Sequence, residues 1–403
     1  MKVAIVSDLH LGYERFYDDA YTQASEALTK ASEIADAIII PGDIFDFRSP
    51  KPDVIAQGLN IFRQLKDKMW EARITKYSGQ GRIFTDIPVI AIPGTHERRA
   101  QDSENAVEIM NLAGFLANGS EATIEISKGA EKISVSSLGG VSEERVKDML
   151  KEYSFSPVPG QFSIFMLHQS IYELLPFSDE FICYDDLPKG FDLYVSGHIH
   201  SKVIAKVHGK PFLIPGSTVL TQLKDGEQEP KGFFVFDTQT NEYKFHEISS
   251  RKFMVEKIDI SDKDPSQIKM EVVEKLAKAT KSKVQNKPII RIVLEGRSNE
   301  STKQISMEIS EIIKNETNAV VELSKGNVEN YEMESNIESL RQKSIENLSI
   351  KDYGMVLFLE RLKDNNYKLG VSASELFDML TADTNKEKVI KKATDIVLES
   401  TPP

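Results

Sequence analysis

Through the first 250 residues one pattern recurs: a short apolar, β-branched run stops abruptly at a polar residue able to hold a metal. Residues 3–6 run into Ser7-Asp8-Leu9-His10, and 37–40 into Pro41-Gly42-Asp43. Residues 89–92 run into Pro93-Gly94-Thr95-His96-Glu97, 164–167 into His168, and 193–195 into Ser196-Gly197-His198-Ile199-His200. Runs of this length without alternation predict strands buried on both faces, as in α/β folds. Ligand-type residues at successive strand ends fall on one edge of a sheet, the usual place for an α/β active site. Helical spacing over 17–35, 53–70 and 104–117 supplies the intervening helices. Residues 202–260 read as a meander of strands at 203–207, 212–214, 233–236, 243–248 and 253–260.

The pattern changes after about residue 261. Helix, strand (289–294), helix (302–313) and strand (319–323) predict a small α+β unit. Residues 324–350 are polar, rich in Asn, Glu and Ser, and read as a linker. Helical patterns return at 353–363, 372–381 and 386–399, the last with Val389, Ile390, Ala393, Ile396 and Val397 as one stripe. The expected division is 1–260, 261–325, a linker over 326–350, and a helical region over 351–403. A chain of 403 residues has room for two or three domains.

Composition narrows the class. The single cysteine, Cys183, excludes a disulfide framework and a thiolate zinc site, and fits a reducing, intracellular setting. No apolar run approaches the roughly 18 residues a spanning helix needs, and the first apolar stretch stops at Asp8, too soon for a signal peptide. Residues 1–250 carry 25 Lys/Arg against 36 Asp/Glu, and 251–403 carry 25 against 26, which together make the net charge of −12. So acidic a chain binds nucleic acid poorly unless cations or local basic patches intervene.

Five of the seven histidines, His10, His96, His168, His198 and His200, sit in the strand-end motifs with Asp8 and Asp43. Imidazole with carboxylate suits divalent Mn, Fe or Zn. The number of ligands exceeds one four-coordinate site and points to two ions sharing a carboxylate. Asp43 is the natural bridge, because Gly42 beside it lets backbones approach closely. Two such ions clamp the attacking and leaving oxygens of a phosphoryl displacement. His208 and His246 lie outside the motifs and read as structural.

The set Asp8-x-His10, Gly42-Asp43, Gly94-Thr95-His96-Glu97, His168 and Gly197-His198-x-His200 resembles the calcineurin-like metallophosphoesterase superfamily. Asp-Leu-His-Leu-Gly at 8–12, Leu-His-Gln at 167–169, Pro-Gly-Ser-Thr at 215–218 and Lys231-Gly232-Phe233 narrow the resemblance to the meiotic recombination 11 family of double-strand-break repair nucleases, in an archaeal-type short form. The resemblance implies an α/β sandwich of two sheets flanked by helices, a small capping domain and a C-terminal helical tail. It implies two divalent ions, manganese foremost: one held by Asp8, His10, Asp43 and His200, the other by Asp43, Thr95, His168 and His198. A bridging water would attack phosphorus, and His96 would stabilise the phosphoryl charge or protonate the leaving oxygen. Two positions depart from the pattern. Thr95 stands where the superfamily usually has Asn, a ligand with longer reach. Asp46 stands where the repair nucleases usually have His; as in the wider superfamily, it is expected to orient His96. Arg48, Arg98 and Arg99 are candidates for holding DNA phosphates.

The resemblance further implies a DNA-associated, intracellular protein with three kinds of partner: DNA, a second copy of itself, and a coiled-coil ABC-type ATPase. Leu59, Ile61, Phe62, Leu65 and Met69, with Val107, Met110 and Leu112, are too many for one buried stripe, so some are expected at a dimer contact. Leu376, Phe377, Leu380, Val389, Ile390, Ala393 and Val397 are the apolar candidates for ATPase docking. Two rivals stand beside the 3′-to-5′ exonuclease and single-strand endonuclease this implies. One is another phosphodiesterase or phosphatase of the superfamily. The other is a DNA-tethering scaffold with a weakened second metal site, for which Thr95 is the support.

Overall fold

The structure is a computed structural model, and it describes residues 1–98, 104–175, 181–223, 227–280, 287–298, 302–316 and 318–330. The apolar runs form β1 (Lys2–Ile5), β2 (Ala37–Ile40) and, after β3 (Arg73–Ser78), β4 (Val89–Ala91). β1, β2 and β4 are parallel neighbours, and β5 (Ala117–Asn118) continues that sheet in parallel. A second set comprises β6 (Ala122–Lys128), β7 (Glu131–Leu138), β8 (Phe162–Leu167), β9 (Leu193–Ser196), β10 (Val203–Val207) and β11 (Lys210–Ile214). They make a sheet of order β10-β11-β9-β8-β7-β6-β3, within which β7, β8, β9 and β11 run parallel. β12 (Gly232–Asp237) and β13 (Glu242–Glu247) return antiparallel to the first sheet, giving β13-β12-β1-β2-β4-β5.

The unbroken apolar runs are explained by burial on both faces. Ala37 and Ile39 pack between the sheets with Ile164, Met166, Leu193 and Val195. Ile38 and Ile40 face outward, into a layer of helices. That layer is α1 (Tyr17–Ile34), α2 (Pro52–Lys66) and α3 (Ala106–Leu112), which bury Ala24 and Leu28, Ile61 and Phe62, and Val107 and Met110. Pro52 opens α2, where its missing N–H costs nothing. The Asn105 side chain accepts from Glu108 N at 2.8 Å and caps α3. On the other side α4 (Glu143–Tyr153) seats Val146 and Leu150 against Phe165, Leu167 and Tyr194 of the second sheet. The result is two sheets flanked by helices.

The meander expected over 202–260 is not one sheet. Its first two strands join the second sheet, the next two the first, and β14 (Phe253–Asp259) starts a third. β3, β6, β7 and α4 escaped the sequence pattern. In β7 the reason is buried serine: Ser134 meets Ser163 Oγ at 2.9 Å, and Ser137 donates to the Gly119 carbonyl at 2.6 Å. Satisfied hydroxyls occupy interior positions that hydrophobic patterning reads as solvent.

The third sheet has the order β14-β15-β16, with β15 (Ile289–Ser298) and β16 (Val320–Asn330), and the same stretch carries α5 (Pro265–Ala279) and α6 (Thr302–Asn315). By compactness the described residues divide into Met1–Glu256 with Val273–Ile292 and Ile313–Glu322, and a second unit of Lys257–Val272, Val293–Ile312 and residues 323–330. Within the second unit Ile260 N donates to the Glu295 carbonyl at 2.8 Å, and Lys269 pairs with Glu308 at 2.9 Å. The helices read at 353–363, 372–381 and 386–399, and with them Leu376, Phe377, Leu380, Val389, Ile390, Ala393 and Val397, lie outside the described residues. Among the described residues no helix is long and apolar enough to cross a membrane.

Candidate metal centre

The ends of β1, β2 and β4 carry Asp8 and His10, Asp43 and Asp46, and Thr95 and His96. The ends of β8 and β9 carry His168, and His198 with His200. Because the strands in each set are parallel, their C-terminal ends share an edge, and the two edges meet. Ligand atoms of Asp8, His10 and His200 lie within 4.8 Å of one another, as do those of Asp8, Asp43 and His168, and of His10, Asp46 and His96.

Backbone strain shapes this meeting point. Asp8, His10, Asp43 and His198 hold φ of 52°, 47°, 51° and 74°, in the left-handed region that non-glycine residues rarely adopt. Such turns end each strand abruptly and swing the side chains inward. The loops after β1 and β2 stay paired through Asp8 N to Gly42 O (3.2 Å) and His10 N to Asp43 O (3.0 Å). A Cβ on Gly42 would sit 2.2 Å from His168 Nδ1, which is the close approach the sequence suggested.

Each imidazole at the ends of β1, β8 and β9 has one nitrogen tied to an outer partner. His10 Nδ1 meets Asp46 Oδ1 at 2.9 Å, and His168 Nδ1 donates to the Pro41 carbonyl at 2.8 Å. His198 Nε2 meets Ser170 Oγ at 2.9 Å, and His200 Nδ1 contacts Thr221 Oγ1. The other nitrogens turn inward. His10 Nε2 lies 3.1 Å from His200 Nε2, His168 Nε2 lies 3.3 Å from Asp43 Oδ2, and His198 Nδ1 lies 3.3 Å from Thr95 Oγ1. Ligands about 2.1 Å from a shared ion stand roughly 3.0–3.4 Å apart at octahedral or tetrahedral angles. His168 Nε2 is buried against the Asp43 carboxylate without a well-formed hydrogen bond, and a cation between them would take the place of the ring's second proton. The residues therefore fit divalent metal ions.

The electrostatics show a demand for positive charge at this point. Burial alone would lower His168, yet the Asp43 carboxylate outweighs it and lifts the imidazole to about 9. In return, against the upward pull of burial, His168 and the neighbouring histidines hold Asp43 well below the ordinary carboxylate range. Burial pushes Asp8 up. Burial, then the charge on His168, brings His198 down to about 4, and burial with His10 brings His200 well down. Both rings keep a lone pair at neutral pH.

Asp46 sits differently from its expected place. Its carboxylate is 2.9 Å from His10 Nδ1 but 3.7 Å from His96 Nδ1, and the hydrogen bond of His96 goes to the Asp46 carbonyl at 2.7 Å. His96 is the open member, with 43% of its side chain exposed, and its N–H donates to Asp43 Oδ1 at 2.9 Å. Arg48 is exposed and Arg98 partly buried, each two residues beyond Asp46 and His96, while Arg99 lies outside the described residues. His208 meets the Leu187 carbonyl at 2.9 Å and His246 stacks on Phe233, both away from the centre.

Several participants were given no role by the sequence, although Glu97 lies within the Gly94-Thr95-His96-Glu97 motif. Glu97 is fully buried; its two oxygens accept Phe45 N and Gly94 N, each at 2.9 Å, and tie the loop after β2 to the loop after β4. Burial and then Asp43 push it up to about 8. Ser170 and Thr221 are the others; only the neighbouring Pro-Gly-Ser-Thr and Lys-Gly-Phe motifs hinted at that region.

Comparison with known proteins fits this geometry. The family model of the calcineurin-like phosphoesterases matches residues 1–202, half of the chain and every strand end described above. A DNA double-strand break repair protein Mre11 of Sulfolobus acidocaldarius is 27% identical over 313 residues, covering 73% of this chain and 75% of the relative. The protein of the same name from Sulfurisphaera tokodaii is 28% identical over 317 residues, 73% of each chain. The double-strand break repair protein MRE11 of Arabidopsis thaliana is 26% identical over 364 residues, covering 73% of this chain and 50% of that one. With its parallel strand ends, its inward imidazoles and carboxylates, and a match spanning half its length, this chain belongs to the calcineurin-like phosphoesterase family.

Proposed function

We propose that the chain is a metal-dependent DNA nuclease of double-strand-break repair, with 3′-to-5′ exonuclease and single-strand endonuclease activity. The observation that carries this reading is the pair of ligand groups sharing Asp8, one with His10 and His200 and one with Asp43 and His168. The repair proteins it resembles over 73% of its length supply the substrate class.

Asp8, His10, Asp43 and His200 would hold one ion, and Asp43, Thr95, His168 and His198 the other. When bound, two divalent ions, manganese foremost, acidify a water and neutralise the phosphate. Asp46 orients His10, Pro41 orients His168, and Ser170 orients His198. With Nδ1 held by the Asp46 carbonyl, His96 keeps Nε2 for the phosphoryl oxygens or the leaving group. Arg48, Arg98 and Arg99 would grip neighbouring phosphates, so recognition is of backbone and ends with little sequence preference.

The wider assembly belongs to the same proposal. Ile61, Phe62, Leu65, Val107 and Met110 are core, whereas Met69 and Leu112 remain exposed for a second copy of the chain. Residues 261–325 would cap the DNA, and 351–403 would dock on a coiled-coil ABC-type ATPase. Deleting 351–403 is expected to abolish ATPase binding in a pull-down and to leave metal-dependent cleavage intact; retained binding rejects that assignment.

The direct test compares single-stranded DNA with a chromogenic phosphate diester, with manganese and with a chelator. Manganese-dependent cutting of DNA is expected. Turnover of the small diester alone would make the chain a different phosphodiesterase. A single bound ion in calorimetry, with neither substrate cut, would make it a scaffold.

A further inference from the structure

Behind His200 lies a chain of polar groups that the nuclease reading does not use. Thr221 Oγ1 contacts His200 Nδ1 and also donates to Glu227 Oε1 at 2.9 Å. Glu227 accepts Thr221 N at 3.0 Å and Gln222 N at 2.8 Å, and it stands 3.4 Å from the Lys231 ammonium. Lys231 in turn donates to the His200 carbonyl at 3.1 Å and to Ser217 Oγ at 3.0 Å. Glu227 is 4% exposed and Lys231 5%. Removing either partner from such a buried pair leaves an uncompensated charge, so neither is a surface accident.

We propose that Thr221, held by the Glu227–Lys231 pair, is a positioning residue that fixes the ring of His200 with its proton on Nδ1 and its lone pair on Nε2. The polarity of the chain forces this. An ionised carboxylate only accepts, so the single hydroxyl hydrogen of Thr221 is committed to Glu227. Toward His200, Thr221 can then only accept, and Nδ1 must carry the hydrogen. Nε2 is left bare, 3.1 Å from His10 Nε2, where the first ion is placed. Lys231 anchors the same residue by its carbonyl, so ring and backbone of His200 are fixed from one cluster. The inference rests on the reading of His200 as a metal ligand, and it assigns Thr221, Glu227 and Lys231 a role as the outer support of that ligand.

The test uses the full chain and manganese alone, without DNA. Thr221→Val removes the hydroxyl at nearly constant volume, and Thr221→Ser restores it. Calorimetry is expected to show one of two manganese sites weakened about 10–100-fold in Thr221→Val, and both sites within about threefold of wild type in Thr221→Ser. Nitrogen NMR of the metal-free wild-type protein, which needs no variant, is expected to show His200 protonated at Nδ1. Wild-type affinity at both sites in Thr221→Val, an equal loss in Thr221→Ser, or an Nε2–H tautomer in the wild type would each overturn the relay. If wild type binds two ions yet cuts no DNA, the nuclease reading fails while the relay stands on its own measurements. If wild type binds no manganese at all, both fall.

Discussion

Gly94→Ala tests whether the position of Asp43 is set by the loop after β4. A Cβ at residue 94 would lie 2.1 Å from Asp43 Oδ1, 2.4 Å from Asp43 N and 2.6 Å from its carboxyl carbon. Ordinary contact begins near 3.4 Å, so the overlap exceeds 1 Å. A rotamer change cannot relieve it, because the Asp43 backbone nitrogen is struck as well as the side chain. Gly94 is not among the residues at positive φ, so the effect is steric and not conformational. Forcing a group into packed surroundings costs about 1–3 kcal/mol. The larger consequence is displacement: Asp43 is held on one oxygen by His96 N at 2.9 Å and faces His168 on the other at 3.3 Å, so any shift breaks both. Misplacing such a group by about 1 Å is expected to slow cleavage roughly 100-fold. Gly160→Ala is the control, since Gly160 has φ of +76° and no atom within 4 Å of the added carbon. It should cost about 1 kcal/mol of stability and leave the rate alone. Both variants are followed by thermal melting and by manganese-dependent cleavage of single-stranded DNA. Gly94→Ala cutting within about threefold of wild type would falsify the claim that this glycine sets the bridging carboxylate.

Three further outcomes are expected. Asp46→Ala should weaken manganese binding about 10–100-fold by calorimetry, because its carboxylate supports His10; normal binding with slow turnover would instead assign it to His96. Thr95→Asn should tighten the second manganese site, since an amide oxygen reaches further than a hydroxyl, and an unchanged titration argues that Thr95 is no ligand. In metal-free protein, the ordinary histidine value of 6.5 separates two opposed histidine contributions to stability. His198, lowered to about 4, binds its proton mainly in the unfolded chain and so adds stability from pH 4 to 6.5, a gain opposed by Glu97, which keeps its proton in the folded chain up to about 8. His168, raised to about 9, keeps its proton in the folded chain, so stability falls from 6.5 to 9. Chemical denaturation across pH measures the fall above 6.5, and His168→Gln should flatten it; an unchanged alkaline slope removes His168 as a cause.

The convergent histidines and carboxylates were legible in the sequence because their chemistry is rare and their setting is regular. β2 reads plainly, since Ala37–Ile40 is apolar on both faces and ends at Pro-Gly-Asp. β7 does not, because its interior serines are satisfied by hydrogen bonds that no pattern of hydrophobicity registers. The five strands after residue 202 were found individually, but nothing local says which of three sheets each will join. That choice is made by long-range pairing, such as Val3 with Phe236, across more than 230 positions of sequence.

The supports of the ligands are harder to read than the ligands, for a physical reason. A metal demands imidazole or carboxylate at fixed positions, which leaves few residue types able to serve. An imidazole N–H accepts help from any oxygen, and here the four helpers are a carboxylate, a backbone carbonyl and two hydroxyls. Asp46 is the instructive case. The resemblance paired it with His96, and only the fold shows the carboxylate turned to His10 and the carbonyl to His96. The left-handed backbone at Asp8, His10, Asp43 and His198 is likewise invisible in sequence, because those residue types are chosen for their side chains. The surrounding hydrogen bonds must therefore hold the strain, and Glu97, which ties Phe45 N of the loop after β2 to Gly94 N of the loop after β4, is one of the groups that brace the loop carrying Asp43.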